Sequence, residues 1–134
     1  DPNAIAETAA VPQFDVLTVK ETWVSSDELV AYGKKVYAAN CVMCHGAEGK
    51  GDGTAAQGMN PPPRNLIEGK WKMGAGLIAH YKVLQAGIAG SSMASYQHFK
   101  PADRWALVHF IESITADKGK DTPEQIAEFA KTAK

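Results

Sequence analysis

The chain has 134 residues, of which 45% are hydrophobic and 22% charged, with a net charge of −1, as expected for one globular domain. It contains no uninterrupted apolar run of about eighteen residues, which excludes a transmembrane helix of ordinary length. The pI is about 6.5 and the lysines are scattered, so nothing indicates nucleic-acid binding.

The N-terminal third predicts a linker followed by one amphipathic helix. Residues 1–13 are rich in alanine and proline and predict a leader or linker, whereas the short apolar run 14–19 predicts an extended segment packed against the body. Ser25 precedes Glu28 by three positions, a capping box that predicts a helix over about residues 26–39. The apolar residues of this helix share one face, which should be buried: Leu29, Val30, Gly33, Val36 and Tyr37.

The helix leads directly into Cys41-Val-Met-Cys44-His45. Two cysteines separated by two residues and followed at once by histidine match the attachment motif of c-type haem. Each thiol adds to one vinyl group of the porphyrin, and the adjacent imidazole binds the iron. The alternative is a pair of buried thiols beside a surface histidine, which the immediate histidine disfavours.

The remainder of the chain predicts loops and three further helices. Residues 46–70 are rich in Gly, Pro and Asn and predict a long loop, which suits the wrapping of a large flat cofactor. We expect helices over about residues 77–86 and 101–115, and a short tail helix that Thr122 caps. Because no alternating strand series and no internal repeat occur, the body is predicted to be all-α.

The haem motif after a glycine-containing helix, with an aromatic-rich helix near the end, resembles class I mono-haem cytochromes c. In that family the first and last helices cross closely, and a small residue on one admits an aromatic ring from the other. Gly33 and Tyr37 match the first helix of that pattern, and Trp105 and Phe110 match the last.

The resemblance implies an all-α cytochrome c fold with three to five helices around one covalently bound haem. It covers about residues 26–116, the predicted haem domain. An extended N-terminal arm over residues 1–25 and a C-terminal tail with a short helix over residues 117–134 lie outside it. Haem c would be attached through Cys41 and Cys44.

The segments PPPRNL and DRWALVHFIESI look similar to the single-haem subunits of bacterial alternative complex III and caa3-type oxidases. This resemblance implies a periplasmic electron-transfer protein rather than an enzyme. Its expected partners are a terminal oxidase or a quinol:cytochrome c oxidoreductase. A tethered module of such a complex, with peripheral or lipid-anchored membrane association, and a small catalytic cytochrome with an open sixth position are the alternatives.

Charge distribution leaves two interpretations open. Residues 1–33 hold six acidic groups and one basic group, whereas residues 34–104, which carry the haem motif, hold nine basic and four acidic groups. Solvated faces account for many such imbalances. A positive surface that steers docking onto an acidic partner is the alternative.

His45 supplies one axial ligand, and the second ligand sets the chemistry of the iron. Six other side chains are candidates: Met59, Met73, Met93, His80, His98 and His109. Met93 is the choice because its loop precedes the last helix, where class I cytochromes c carry the ligand, although Ala94 stands where proline is usual. His98 is the rival in the same loop. We expect Met59 at the haem edge and Met73 in the core, and the other histidines on helices.

Residues around the ligands follow from the same resemblance. Pro63 is the predicted source of the carbonyl that accepts the second ring proton of His45. Arg64, Trp71 and Tyr81 are predicted donors to the haem propionates, because buried carboxylates require donors. The alternative is that Trp71 belongs to the core and Arg64 is an ordinary surface charge.

Overall fold

The structure, a computed structural model, describes residues 14–59, 62–71, 73–88, 93 and 95–133. The predicted leader over residues 1–13 lies outside this part. The described residues contain no strand, and their α-helices are α1 (Asp27–Asn40), α2 (Val42–His45), α3 (Leu77–Ala86), α4 (Pro101–Ile114) and α5 (Pro123–Ala130). The prediction of an all-α fold is therefore confirmed. No helix among these is long and apolar enough to cross a membrane.

Helix α1 begins one residue later than its capping pattern predicted. The Ser26 side chain, rather than that of Ser25, accepts a hydrogen bond from the Leu29 amide at 3.1 Å. Ser26 has an extended backbone, so its hydroxyl reaches the third amide of the helix, which would otherwise lack a partner. Asp27 and Glu28 in the first turn interact favourably with the helix dipole.

The segment before α1 was predicted to be extended. Instead, Val16–Thr18 form one turn of 3₁₀ helix. The Asp15 side chain caps this turn by accepting from the Leu17 amide at 2.9 Å. The turn places Val16 in a buried cluster with Leu29 of α1 and Ala106 of α4. The described part of the arm is therefore packed on the body.

The crossing of α1 and α4 is the centre of the fold. A side chain at Gly33 would collide with the backbone carbonyl of Ala106, so only glycine allows the two helices to approach this closely. One turn further along α1, the rings of Tyr37 and Phe110 lie 5.2 Å apart. This confirms the predicted crossing, in which a small residue of one helix admits an aromatic residue of the other. The crossing also determines the position of Cys41, which directly follows α1.

Helices α3 and α5 complete the body on the other side of α4. Tyr81 of α3 lies 4.4 Å from Trp105 and 5.6 Å from Phe129, measured between ring centroids. The tail helix begins with the predicted capping box, in which Thr122 and Gln125 exchange side-chain hydrogen bonds with backbone amides. Because α1 and α3 both pack against α4, they enclose a space between them.

Candidate haem site

A cavity of about 260 Å³ lies between α1, α3 and α4 and the loops that join them. Cys41, Cys44 and His45 all lie on its wall, together with Met93. Most of the remaining wall is apolar: Leu66, Val83, Leu84, Ile88, Leu107 and Ile111. The residues that the sequence assigned to haem attachment are thus brought to one predominantly apolar space.

His45 is held with one ring nitrogen engaged and the other left for a ligand bond. Its Nδ1 lies 3.0 Å from the carbonyl oxygen of Arg64, to which the Nδ1–H donates. Burial lowers the pKa of His45, and this hydrogen bond opposes the shift only in part, so the neutral ring is favoured at neutral pH. The lone pair is then on Nε2, which is the form that binds a metal.

The accepting carbonyl is that of Arg64, so the prediction of Pro63 was wrong by one residue. Pro63 lies on the cavity wall beside it. Which carbonyl of the proline run meets the ring depends on the path of the whole loop from His45, which no local pattern specifies.

The two thiols are free and differ in burial, with Cys41 buried and Cys44 partly exposed. Burial raises the pKa of Cys41 to about 12, with the neighbouring Cys44 as the second cause. A dithiol redox centre needs a lowered pKa and a reactive thiolate, so this arrangement argues against one. In the described residues no group of three or more His, Cys, Asp or Glu could hold a metal ion.

The glycine-rich loop after the motif folds back onto it. The Gly51 amide donates to the carbonyl of His45 at 2.7 Å, and the Gly53 amide donates to that of Cys44 at 3.1 Å. A side chain at Gly53 would collide with the carbonyl of Met43, so the loop needs glycine at this position. The Tyr37 hydroxyl donates to the carbonyl of Gly46. The loop thereby fixes the motif from the side that α1 leaves open.

Four of the six candidates for the second axial position line the cavity: Met59, Met73, His80 and Met93. His98 is exposed and His109 is hydrogen-bonded through Nε2 to the carbonyl of Thr22 at 2.8 Å, and neither lines the cavity. Met73 is 59% exposed at the rim, so the prediction of a core residue was wrong. Met93 is half-buried and packs against the core cluster.

The sequence pattern of the Cytochrome c family matches residues 30–115. The chain belongs to the cytochrome c family. Domains of this family carry covalently attached haem c and transfer electrons, and the wall of this cytochrome fits that group. It offers two free thiols, a neutral imidazole with Nε2 available and an apolar lining. The prediction of a haem-bearing electron-transfer domain is confirmed at the level of the family.

Similar proteins include subunits of oxidases and a dehydrogenase. The Cbb3-type cytochrome c oxidase subunit FixP of Bradyrhizobium diazoefficiens is 32% identical over 88 residues, which are 66% of this chain and 28% of that protein. FixP of Sinorhizobium medicae is 39% identical over 67 residues, 48% of this chain and 21% of its own length. Thiosulfate dehydrogenase of Thiomonas intermedia is 26% identical over 81 residues, 60% of this chain and 25% of its own length.

Among solved structures, the Kuenenia stuttgartiensis reducing HAO-like protein complex Kustc0457/Kustc0458 is similar, with 29% identity and a TM-score of 0.62. The match covers 78% of this chain and 50% of that one. The chain spans less than a third of the length of the curated relatives it matches.

The three predicted propionate donors of this cytochrome lie in different environments. Arg64 is exposed on the cavity wall, and its guanidinium has no ion pair among the described residues. Trp71 lines the cavity, but its indole N–H donates to the carbonyl of Asp117 at 3.0 Å. Arg64 is therefore the predicted donor with its hydrogen-bonding groups still available.

Tyr81 is not brought to the cavity. Its ring is fully buried among Trp105 and Phe129, on the face of α3 that packs against the helices. The cavity face of α3 is formed by its neighbour His80 and by Val83 and Leu84. The prediction of Tyr81 as a haem contact was therefore wrong, because both faces of this helix are apolar and sequence periodicity does not distinguish them.

Sequence reasoning undervalued His80 and missed Tyr96, both of which line the cavity. His80 is 6% exposed, and burial lowers its pKa to about 4. Its spacing of four residues from Leu84 is the signal that would have placed it on the same face. Tyr96 lies in a loop, where no periodic pattern indicates which side chains face the cavity. Its position is set by its amide, which donates to the carbonyl of Leu84 at 2.6 Å.

Proposed function

We propose that this cytochrome is a one-electron carrier with a single haem c, attached through Cys41 and Cys44 and ligated by His45 and Met93. The observation that carries the proposal is that both thiols, the imidazole and the thioether of Met93 share one apolar cavity. Bound haem c would supply the one-electron couple of its iron, which His/Met ligation shifts to higher potential.

The chain's own residues would hold and insulate this group. The Arg64 carbonyl fixes the orientation of the His45 ring and increases its basicity. The buried side chains of Leu84 and Leu107 exclude water from the wall. A dry wall raises the free energy of the more highly charged oxidised state, because charge is poorly solvated there. Arg64 is also placed to pair with a propionate at the exposed edge.

The partners that we propose are a terminal oxidase or a quinol:cytochrome c oxidoreductase, met on the periplasmic side of a bacterial membrane. Two relatives named as cbb3-type oxidase subunits support a role beside an oxidase. The finer similarity to alternative complex III and caa3-type subunits rests on the sequence segments alone. The haem domain would extend over residues 26–116, with the described part of the arm and the tail helix packed against it.

A shuttle and a tethered subunit use the same site and differ in location. Because the matched residues make up less than a third of each of these relatives, a role as one module of a larger complex is the leading alternative. The relative named thiosulfate dehydrogenase supports a catalytic alternative. Rapid binding of carbon monoxide to the reduced wild-type protein would favour that alternative, since it requires an open or labile sixth position.

The attachment is tested by intact mass and absorption spectra of protein matured with the haem-attachment machinery. Wild type should carry the mass of one haem and show the spectrum of a c-type cytochrome. The double variant Cys41→Ala/Cys44→Ala should have the mass of the bare chain and lower helicity, because its helices would face an empty slot. A colourless wild-type protein would refute the proposal.

The sixth ligand is tested by a set of methionine variants. Met93→Ala should abolish the weak sulfur-to-iron charge-transfer band of the oxidised protein and allow carbon monoxide to bind the reduced protein. Met59→Ala and Met73→Ala are matched controls, since both residues line the same cavity, and they should retain the band. Retention of the band in Met93→Ala would show that another side chain is the ligand.

A further inference from the structure

Arg104, in the first turns of α4, is a buried cation without an acidic partner among the described residues. It is 1% exposed. Burial of an unpaired charge costs several kcal/mol unless hydrogen bonds compensate for the lost water. An arginine at this position therefore indicates that its polar contacts have a structural role that an apolar side chain could not fill.

The guanidinium of Arg104 binds the backbone of the loop that follows Met93. Its Nη1 lies 3.1 Å from the carbonyl oxygen of Tyr96, 3.2 Å from that of Gln97 and 2.6 Å from that of Phe99. The two hydrogens of Nη1 are shared among these three acceptors. The guanidinium carbon also lies 5.1 Å from the centroid of the Tyr81 ring, which is a cation–π contact.

The same loop is held a second time by α3. The Tyr96 amide donates to the carbonyl of Leu84 at 2.6 Å, and the Ser95 hydroxyl donates to the carbonyl of Gln85 at 2.8 Å. Tyr96 is thus attached to α3 through its amide and to α4 through its carbonyl. Met93 lies three residues before this doubly anchored position.

The sequence next to Met93 explains why such an anchor is needed. Ala94 follows the methionine, where the resembled family has proline, so the backbone is not stiffened by a fixed φ angle. Without that restriction, the conformational freedom of the loop must be limited by contacts from elsewhere. Arg104 supplies three such contacts from a rigid helix.

We propose that Arg104 is the positioning residue of the sixth ligand: it fixes the loop at residues 96–99 and thereby holds Met93 against the iron. The inference rests on the proposed role of Met93. Without the guanidinium the loop has more conformations, and fewer of them place the sulfur at the metal. An added ligand then displaces the methionine more easily.

Imidazole titration of the oxidised, haem-loaded protein tests this inference. Arg104→Lys retains the charge, but its side chain is one bond shorter than the path to Nη1, so its nitrogen stops short of the three carbonyls. We expect its apparent affinity for imidazole to increase about tenfold, which corresponds to about 1.4 kcal/mol. The charge-transfer band should weaken in parallel. Arg104→Gln removes the charge as well as the three contacts, and it should show at least the same increase in affinity.

His109→Gln is the matched control. His109 lies on the same helix, is 2% exposed and also binds a distant backbone carbonyl, that of Thr22. It holds the N-terminal arm rather than the Met93 loop, so the variant should lose stability without a change in imidazole affinity. An equal gain in affinity in His109→Gln would show that general loosening is responsible and would overturn the inference. Unchanged affinity in both Arg104 variants would also overturn it.

Amide hydrogen exchange separates a failure of this inference from a failure of the Met93 assignment. Faster exchange at Tyr96 and Phe99 in Arg104→Lys, with α1 unchanged, would show that Arg104 holds the loop whichever side chain binds the iron. If Met93→Ala retains the charge-transfer band, the assignment of Met93 as the ligand fails. The exchange rates of the two amides still show whether Arg104 anchors the loop. Failure of both Arg104 variants to fold with haem attached would assign the residue to the fold as a whole and overturn the inference.

Discussion

Two segments that meet at the cavity are held in place in different ways. The motif segment, residues 41–59 and 62–64, is fixed mainly by itself, through bonds such as the one from the Gly51 amide to His45 and the one between the His45 ring and Arg64. The Met93 segment, residue 93 and residues 95–99, is fixed by helices α3 and α4, through Leu84 and Arg104. One axial side is therefore specified locally, and the other only after the helices have packed.

Removal of the helix crossing should abolish this difference by releasing both segments together. Gly33→Val places a branched side chain against the carbonyl of Ala106, where neither backbone can move without separating α1 from α4. We expect a loss of at least about 3 kcal/mol in the free energy of unfolding, measured by urea denaturation. Ala38→Val, at an exposed position of the same helix, should cost only about 0.5 kcal/mol. Equal losses would refute the close approach.

Acidic pH should destabilise the protein through α3, which supports the Met93 segment. Burial lowers the pKa of His80 to about 4, against 6.5 for the free side chain, and Glu112 Oε1 at 3.8 Å is too distant for a hydrogen bond. Between these pH values the unfolded chain binds the proton and the folded chain does not, so stability decreases as the pH falls from 6.5 towards 4. The contribution of His80 is up to about 3 kcal/mol.

The measurement is the free energy of unfolding at neutral and acidic pH for wild type and His80→Gln. The variant should lose less stability on acidification, although some loss remains because burial also lowers the pKa of His109. His98→Gln, at an exposed position, should behave as wild type. A pH dependence in His80→Gln identical to wild type would contradict the prediction.

A single hydroxyl allows the motif segment to be loosened alone. Tyr37→Phe removes the hydroxyl that donates to the Gly46 carbonyl, which among the described residues then accepts only from the Gly49 amide at 3.1 Å. Burial raises the pKa of Tyr37 to about 12, so the hydroxyl is a donor over the whole ordinary pH range. We expect a loss of about 1 kcal/mol, with faster amide exchange at Gly49 and Gly51 and an unchanged sulfur-to-iron band. Loss of that band would show that the two segments are coupled.

The corresponding variant on the other side should have the smallest effect. The Tyr96 hydroxyl donates to the carbonyl of Asn40 at 3.5 Å, a long and solvent-accessible hydrogen bond. Tyr96→Phe should therefore cost no more than about 0.5 kcal/mol in urea denaturation. A loss as large as that of Tyr37→Phe would mean that the hydroxyl bridges the cavity more strongly than this distance indicates.

Local patterns predicted most of the fold. The bounds of α3 and α4 agree with the predictions to within one residue, because apolar periodicity and terminal caps act over a few positions. The Cys41–His45 motif is equally local. The start of α1 shifted by one residue because two adjacent serines offer nearly equivalent caps.

The errors concern residues whose role depends on distant contacts. Pro63 was chosen in place of Arg64 because the carbonyl that meets His45 depends on the whole loop. Tyr81 was chosen and its neighbour His80 undervalued because α3 is apolar on two faces. Arg104 appears in the sequence as one more charge near a helix start, and only the packed structure shows it buried against another loop.

Helix α5 also has a practical consequence for work with fragments. The family match ends at residue 115, yet Phe129 of α5 covers the rings of Tyr81 and Trp105. A fragment that ends at that boundary would expose these two rings to solvent and create an aggregation-prone apolar surface. Homology alone would thus place the cut through the hydrophobic core of this cytochrome.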